Sequence, residues 1–189
     1  GSECRTVPYI NAYLVGGHNV IVEKASKPLC EQSEMNFGNK PVDGGHLLLT
    51  GDEVQQLHLS DAQRQKFIRQ IYGSAEFIRG LQRYCLWIQA ADLDEAMQIP
   101  AIQKRIEGVR AMRLASKDKS ANEMAQRAHQ FREMYFGKQY TIIVPAVSSE
   151  NRDYLPCGLL SDISTVSNLA FALYDAPLWN MAIIASKLH

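Results

Sequence analysis

Short apolar runs separated by polar, glycine-rich segments make up most of this chain. The run YTIIV at residues 140–144 is flanked by turn-forming residues and predicts a buried strand. The same pattern predicts strands at residues 46–50, 84–89, 155–160 and 169–174. Because helical patterns interrupt these strands irregularly, the sequence does not predict a repeating alternation of strand and helix.

The amino-terminal part predicts a hairpin followed by a long loop. Residues 10–15 and 20–23 predict two strands, and Gly-Gly-His-Asn at residues 16–19 is typical of the tight turn between them. Residues 27–45 contain prolines, glycines and asparagines, which predict a long ordered loop. Loops of this length within a compact domain are often functional.

Capping residues and prolines mark the predicted helices. Two capping boxes open helices: Ser60 with Gln63, running to about Arg69, and Ser120 with Glu123, running to about Tyr135 before Gly137. Ser74 predicts the cap of a short helical turn at residues 75–79, which Gly80 ends. Pro100 and Pro177 each predict the first residue of a further helix. Apolar positions recur at helical spacing after the first of these prolines, at Ile102, Ile106, Val109 and Met112 or Arg113.

These elements predict a mixed α/β or α+β fold with short strands, several helices and long ordered loops. A length of 189 residues suits one compact domain over residues 1–189. The chain starts with Gly1 and Ser2, as expected of a cloning remnant, and ends inside a predicted helix. We therefore expect a fragment of a larger protein.

Charge is distributed unevenly, although the net charge is zero. Residues 64–119 carry 11 basic and 6 acidic groups, a local excess of five positive charges. Such a zone can attract phosphates, and a solvated helix face is the alternative explanation. The basic residues expected on the outer faces of the helix after Pro100 are Lys104, Arg105, Arg110, Arg113 and Lys117.

The cysteine and hydropathy patterns predict the redox state of the thiols, the cellular compartment and the relation to membranes. Cys4, Cys30, Cys85 and Cys157 are widely spaced and form no CxxC pair, so we expect reduced thiols, no zinc site and a cytoplasmic protein. No apolar run approaches the roughly 20 residues that span a bilayer, so no membrane association is expected.

Motifs for autonomous catalysis are weak. The glycines form neither a GxGxxG nor a phosphate-binding loop, and the five histidines share no metal-ligand spacing. Cys157 with a distant histidine is the one formally possible nucleophilic pair. An autonomous hydrolase that uses Cys157 is therefore kept as one functional hypothesis.

The loop after the strand at residues 140–144 holds a dense set of polar side chains that suit base recognition. They are Ser149, Glu150, Asn151, Arg152 and Tyr154. Arginine can bind guanine, asparagine can bind adenine, and glutamate can accept from cytosine. If the segment is extended, Glu150 and Arg152 point the same way and could face one base pair, with Tyr154 on the same side. An ordinary polar loop with a local Glu/Arg ion pair is the alternative.

Four stretches carry a family resemblance: FGNKPVDGGHLLLT (37–50), YGSAEFIRGLQRYCLWI (72–88), IIVPAVSSENRDYLPCGLL (142–160) and SNLAFALYDAPLWNMAIIASKLH (167–189). Together they resemble the target recognition domain of MmeI-like enzymes, which join DNA adenine methylation, and often restriction, in one polypeptide. The resemblance covers nearly the whole chain.

This resemblance implies that the chain selects a sequence in double-stranded DNA and holds no cofactor itself. S-adenosylmethionine and an Asn-Pro-Pro-Phe/Tyr motif belong in such enzymes to a methyltransferase domain that is absent here, and that domain would be the protein partner. An amino-terminal nuclease is present in some relatives only. The parent would flip an adenine out of the duplex and methylate its N6.

The resemblance also implies site residues. Glu150 and Arg152 correspond to specificity positions of the family's Ser-Glu-x-Arg segment. Arg79 and Arg83 lie in a segment shared more widely by adenine methyltransferase recognition domains, which implies phosphate or base contacts; exposed arginines on a short helix are the alternative. Asn39 and Lys40 are further candidates for DNA contact, as are Lys104, Arg105 and Arg110.

Other side chains are expected to be structural. Trp87, Tyr84, Trp179 and Phe171 are expected in the core rather than stacked on bases, and His46 is expected to be structural. The main alternative function is a protein-interaction or scaffold module whose polar loops face the methyltransferase or nuclease domain and never contact base edges.

Overall fold

The computed structural model describes residues 4, 6–19, 21, 23 and 33–186. The chain divides into two compact units, Gly1–Gln32 and Ser33–His189. All helices and strands named below belong to the larger unit. That residues 1–189 form a single domain stays a prediction.

In the smaller unit, the predicted strand at residues 10–15 is wrong, because the chain turns within it. The side-chain Oδ1 of Asn11 accepts hydrogen bonds from the backbone N–H groups of Tyr13, at 3.0 Å, and Val15, at 3.1 Å. Ile10 forms one antiparallel bridge with Gly16. An asparagine that bonds its own backbone in this way competes with strand pairing. Residues 20, 22 and 24–32 lie outside the described residues, and with them the predicted strand at 20–23, the start of the loop at 27–45, and Cys30.

Two four-stranded sheets organise the larger unit, among the residues that the structure describes. The strands are β1 (Asn36–Phe37), β2 (Leu48–Leu49), β3 (Ile68–Tyr72), β4 (Tyr84–Leu86), β5 (Tyr140–Pro145), β6 (Gly158–Ser161), β7 (Ser164–Val166) and β8 (Ala170–Tyr174). One sheet has the antiparallel order β1-β8-β5-β6, and the other has the order β2-β4-β3-β7 with β3 and β7 parallel. Because β7 and β8 belong to different sheets, residues 167–169 connect the two sheets.

Most of the helices are short, and the longest shares a core cluster with strands β2, β3 and β4. The helices are α1 (Gly51–Gln56), α2 (Asp61–Phe67), α3 (Ser74–Arg79), α4 (Leu93–Met97), α5 (Pro100–Ala115), α6 (Lys119–Glu123) and α7 (Trp179–Ile184), with 3-10 turns at Ala90–Asp92 and Met124–Arg127. The α+β fold class is confirmed. The predicted strand at residues 140–144 is also confirmed, as β5, whose residues after Tyr140 are all buried.

The helix predicted from Pro100 is confirmed as α5, with a fully buried stripe at Ile102, Ile106 and Val109. Arg113 continues that stripe and is 0% exposed, so the prediction that it lies on an outer face is wrong. Arg105 is also mostly buried, since its guanidinium donates to the carbonyls of His46 and Leu48 and pairs with Glu53 at 2.6 Å.

Five backbone carbonyls explain the burial of Arg113. Its guanidinium donates to the carbonyl oxygens of Pro41, Val42, Met124, Arg127 and Gln130, at 2.7–3.0 Å. Burial, and then the charge of the neighbouring Arg127, lower the pKa of Arg113 to about 10, so the group stays charged at neutral pH. A buried charge is tolerated when its donors are satisfied in this way. Arg113 thus ties two irregular segments to α5.

Several predicted boundaries are wrong. The helix opened by Ser60 ends at Phe67 instead of Arg69, because the next residues pair as β3 with β4 and β7. The capping box predicted at Ser120 does not form; Asp118 caps α6, which ends at Glu123. Conversely, α1 begins with a capping box between Thr50 and Glu53 that we did not predict.

The four aromatic residues predicted to lie in the core differ in how deeply they are buried. Trp87 is buried in the main core, where its ring centroid lies 5.6 Å from that of Phe131. Phe171 is half-buried and stacks on Phe37 at 4.3 Å, and Tyr84 is half-buried in β4. Trp179, however, is 46% exposed at the start of α7, so its assignment to the core is wrong.

His129 gives stability a predictable pH dependence. Its side chain is buried, and burial, then the nearby Arg113 and Arg127, lower its pKa below 6.5. The unfolded chain therefore binds a proton more readily than the folded one as the pH falls through 6.5, and stability decreases with it. We expect urea unfolding to show a larger loss of stability from pH 7 to pH 5 for the wild type than for His129→Leu. An identical loss in both proteins would contradict this assignment.

Candidate nucleic-acid interface

A groove of about 810 Å³ lies between α3, the start of the β5–β6 loop and residues 168–169. Its polar lining residues are Ser74, Arg79, Ser148, Ser149, Arg152 and Asn168. Ile78, Val147 and Leu169 contribute apolar surface, and the latter two are well exposed. Three predicted site residues, Arg79, Ser149 and Arg152, are thus brought together although Arg79 is at least 70 positions from the other two.

Local sequence explains how α3 presents Arg79. The side chain of Glu76 accepts from the backbone N–H of Gly73 at 3.0 Å and closes the amino-terminal end of the helix. Gly80 ends it in the left-handed region at φ 66°, which a residue with a side chain adopts only with strain. Arg79 is therefore held in the last turn, and it is exposed.

Ser74 connects three segments of the groove. It was predicted as the helix cap but is the first helical residue, while Gly73 occupies the cap position. Its hydroxyl donates to the carbonyl of Leu169 at 2.5 Å and accepts from the backbone N–H of Ala146 at 2.9 Å. One side chain therefore fixes both the start of the β5–β6 loop and the segment before β8 against α3.

The predicted base-reading segment is a turn and not an extended strand. The backbone N–H of Arg152 donates to the carbonyl of Ser149 at 3.2 Å, and the N–H of Asn151 donates to the Ser149 hydroxyl at 3.2 Å. Strand-like alternation therefore does not place Glu150 and Arg152 on one face. The turn instead projects residues 150–152 from the end of β5, and all of them are exposed.

The polar side chains of this turn are not committed to the rest of the protein. Within the described residues, Glu150, Asn151 and Arg152 form no side-chain hydrogen bond or ion pair, so the predicted local Glu/Arg pair is absent. Arg152 also lines a second hollow of about 380 Å³, which it shares with Tyr154 and Cys157. Tyr154 is 55% exposed. The side chains of Glu150, Asn151 and Arg152 are available for contacts outside the chain.

Arg83 lies apart from this group. It is half-buried and pairs with Glu76, with 3.3 Å between Nη1 and Oε1. Since Glu76 in turn closes α3, Arg83 supports the helix that carries Arg79. The Arg83 side chain is still 38% exposed, and its contact with DNA stays a prediction.

Asn39 and Lys40 have opposite environments. Asn39 is 0% exposed; its Nδ2 donates to Thr165 and to the carbonyls of Tyr135 and Val166, and its Oδ1 accepts from the N–H of Tyr135. With these partners it has no group left for DNA, so it is corrected to a structural residue. Lys40 is exposed and lines a separate hollow of about 440 Å³.

Arg132 is a cationic residue of that hollow which the sequence did not reveal. It lines the hollow with Lys40, and its backbone N–H donates to the Lys40 carbonyl at 2.8 Å. The sequence placed Arg132 in a long helix, where nothing distinguished it. The helix ends early and the following irregular chain brings Arg132 beside Lys40.

Catalytic chemistry finds little support. Burial raises the pKa of the Cys157 thiol, the opposite of what activates a nucleophile. Its Sγ lies 3.8 Å from the carbonyl oxygen of Met181, and no histidine contacts it among the described residues.

Within the described part of the chain, no group of His, Cys, Asp and Glu could hold a metal ion, and no helix has the length and apolar character required to cross a bilayer.

Residues 16–189 match the family described as the MmeI target recognition domain. The chain belongs to the MmeI target recognition domain family. The resemblance drawn from the four sequence stretches is thereby confirmed.

Two relatives extend the comparison. DNA methyltransferase A of Bacillus subtilis (strain 168) is 37% identical over 185 residues, which cover 98% of this chain and 21% of that protein. A solved structure of the Type IIL restriction-modification enzyme MmeI in complex with DNA superposes with a TM-score of 0.81 at 31% identity, over 97% of this chain and 24% of that one. This MmeI target recognition domain thus spans between a fifth and a quarter of the length of these relatives.

Proposed function

We propose that this chain is the sequence-recognition domain of a DNA adenine-N6 methyltransferase of MmeI-like type that acts in restriction-modification or phage defence. Family membership supports the type of protein. The observation that carries the proposal here is the exposed surface in which Arg79, Ser149 and Arg152 line one groove. The side chains of Glu150 and Asn151 project beside it with no hydrogen bond or ion pair to the residues that the structure describes.

The residues divide into two chemical roles. Arg79, Lys40 and Arg132 suit contacts with phosphates, which position a duplex without selecting its sequence. Arg152, Glu150 and the other turn residues suit contacts with base edges, where Arg–guanine and Glu–cytosine pairs discriminate between bases. The apolar side chains of the groove can contact sugars or a thymine methyl group.

The methylation chemistry belongs to other parts of the polypeptide. S-adenosylmethionine would supply the methyl group from a methyltransferase domain outside this chain, and that domain would be its neighbour. The contribution of these 189 residues is to bind and orient duplex DNA so that one adenine is presented for flipping. The proposed location is the cytoplasm, where the DNA substrate is present.

The basic surface is smaller than the composition of residues 64–119 suggests. Arg113, Arg105 and Arg83 are engaged internally, and Lys66 pairs with Asp92 at 2.8 Å. Lys104 and Arg110 remain exposed on α5. Phosphate attraction is therefore expected to depend on a few groups around the groove more than on the local charge excess.

Replacing Arg79 and Arg152 together by glutamate is expected to weaken binding to a randomised DNA duplex and to flatten its salt dependence. Each lost phosphate contact should lower the slope of log K against log salt by about 0.9. Fluorescence anisotropy at low and moderate salt measures both effects. Lys138→Glu is the matched control, because Lys138 is exposed and lines none of the hollows described above.

Equal loss of binding in the control and the double variant would contradict the placement of DNA in the groove. Absence of DNA binding by the full-length native polypeptide at low salt would contradict the proposed function and favour a protein-interaction module. Arg83→Glu should be avoided in such a variant, because it would place a second carboxylate beside Glu76 and disturb α3.

A further inference from the structure

The connection between β7 and β8 places one asparagine, Asn168, between the two cationic surfaces. Asn168 lines the groove that contains Arg79 and Arg152, and it also lines the hollow that contains Lys40 and Arg132. It is the residue common to both linings. A duplex that contacted both pairs of cations would therefore pass over Asn168.

The backbone around Asn168 is held from two sides. Its own N–H donates to the carbonyl of Asn39 at 3.1 Å, and the carbonyl of the following residue, Leu169, accepts from the Ser74 hydroxyl. Gly38 packs so closely that a Cβ there would lie 2.4 Å from the carbonyl oxygens of Val166 and Ser167. A residue presented from such a backbone loses little conformational freedom on binding.

The side chain of Asn168 differs from those of the structural asparagines. The carboxamide groups of Asn39, Asn122 and Asn180 all donate to backbone carbonyls. Asn168 is half-buried, and its carboxamide has no hydrogen-bond partner among the described residues. An unpartnered carboxamide on a well-held backbone has one donor group and one acceptor available for a ligand.

The chemistry of the surroundings favours nucleic acid as that ligand. Lys40, Arg132, Arg79 and Arg152 flank Asn168. Among the described lining residues the one acid is Glu133, which accepts from the backbone N–H of Lys40 at 3.0 Å and pairs with the partly exposed Arg132 at 3.7 Å, so the four cations still give both linings an excess of positive charge. A carboxamide can pair with adenine through two hydrogen bonds, accepting from its N6 amino group and donating to its N7. Phosphate contacts on both sides would fix the register of that pair.

We infer that Asn168 is a specificity residue that recognises an adenine through its carboxamide, at a position of the site between the bases met by the Ser149–Arg152 turn and the phosphates met by Lys40 and Arg132. This inference rests on the proposed function and deepens it. It adds a base-reading position to a segment in which the sequence showed no recognition motif.

Selection from a randomised duplex pool tests this inference in the full-length native polypeptide. Wild-type protein, Asn168→Ala, Asn168→Asp and a control, Gln55→Ala, are each allowed to select DNA, and the bound sequences are determined. Gln55 is an exposed carboxamide on α1 that lines neither the groove nor the hollow. Circular dichroism melting of each variant establishes that the fold is retained.

The expected result is loss of preference for adenine at one position in Asn168→Ala, by about 5- to 150-fold, with the remaining positions unchanged. Asn168→Asp should shift that position towards cytosine, whose amino group pairs with an acceptor. Gln55→Ala should select the wild-type sequence.

Two results would overturn the inference in distinguishable ways. If the wild type selects a defined sequence and Asn168→Ala selects the same sequence with the same preferences, Asn168 does not read a base, and the proposed function still stands. Uniformly weaker binding with unchanged preferences leads to the same conclusion. If the wild type selects no sequence, the proposed function itself fails, and this inference fails with it.

Discussion

Arg113→Met is expected to lower the free energy of unfolding by about 3 to 5 kcal/mol. Methionine fills much of the volume but leaves five backbone carbonyls, from Pro41 to Gln130, without the donors that the guanidinium now supplies. Buried acceptors without donors are costly, and the segments that they belong to would lose their anchor to α5. Urea unfolding followed by tryptophan fluorescence measures the difference, since Trp87 lies in the main core.

Arg110→Met is the matched control, since Arg110 is exposed on the same helix. Its effect should stay within about 0.5 kcal/mol. Arg113→Lys keeps the charge but cannot span all five acceptors, so it should fall between the two. Equal stability of Arg113→Met and Arg110→Met would show that the carbonyl network contributes nothing net to folding.

Exchanging the charges of the turn, with Glu150→Lys and Arg152→Asp, is expected to change the preferred base at one position of the recognised DNA site. Each bidentate contact between a side chain and a base discriminates by about 1 to 3 kcal/mol, so the change should be evident in selected or methylated sequences. Stability should hardly change, because neither side chain forms a hydrogen bond or an ion pair within the described residues. The measurement is sequencing of the sites that the full-length native polypeptide binds.

The same exchange on α5, Lys104→Asp with Glu107→Lys, controls for charge alone. Both residues are exposed, and neither lines the groove. It can alter affinity through phosphates but should leave the recognised sequence as it is. An unchanged sequence in the Glu150/Arg152 exchange would refute base recognition by the turn.

Local signals were sufficient where an element is stabilised by its own residues. Pro100 and the apolar spacing after it define α5, and an unbroken apolar run defines β5. The helix end at Gly80 was also predictable, because it depends on one residue in the left-handed region. Such features require no knowledge of distant partners.

Non-local contacts explain two of the errors. The helix opened by Ser60 was predicted to run to about Arg69, but Ile68 already begins β3, which pairs with β4 and, in parallel, with β7, about 95 positions away. Arg113 was predicted on an outer face because its carbonyl acceptors lie outside α5, in chain that precedes Arg113 by 71 and 72 positions or follows the helix. No local window contains these partners.

The candidate site shows the same division. The residue types of the Ser149–Arg152 turn and Arg79 were recognisable in sequence, but the turn geometry, and the fact that the Ser74 hydroxyl joins Ala146 to Leu169, were not. Asn39 was predicted to contact DNA because of its residue type, and it is structural. Asn168, which lines the groove, was not among the predicted site residues. Side-chain chemistry identifies candidates, and the hydrogen bonds that each side chain already makes decide which are available.

The turn at the end of β5 also bears on how such a protein diverges. Its tip residues, Glu150 and Asn151, are bonded to the fold through their backbone only, while the buried residues of β5 support the turn from below. Substitutions at the tip therefore cost little folding free energy and need no compensating change in the core. Lineages can accordingly exchange tip residues one at a time, and every intermediate remains a folded protein on which selection can act.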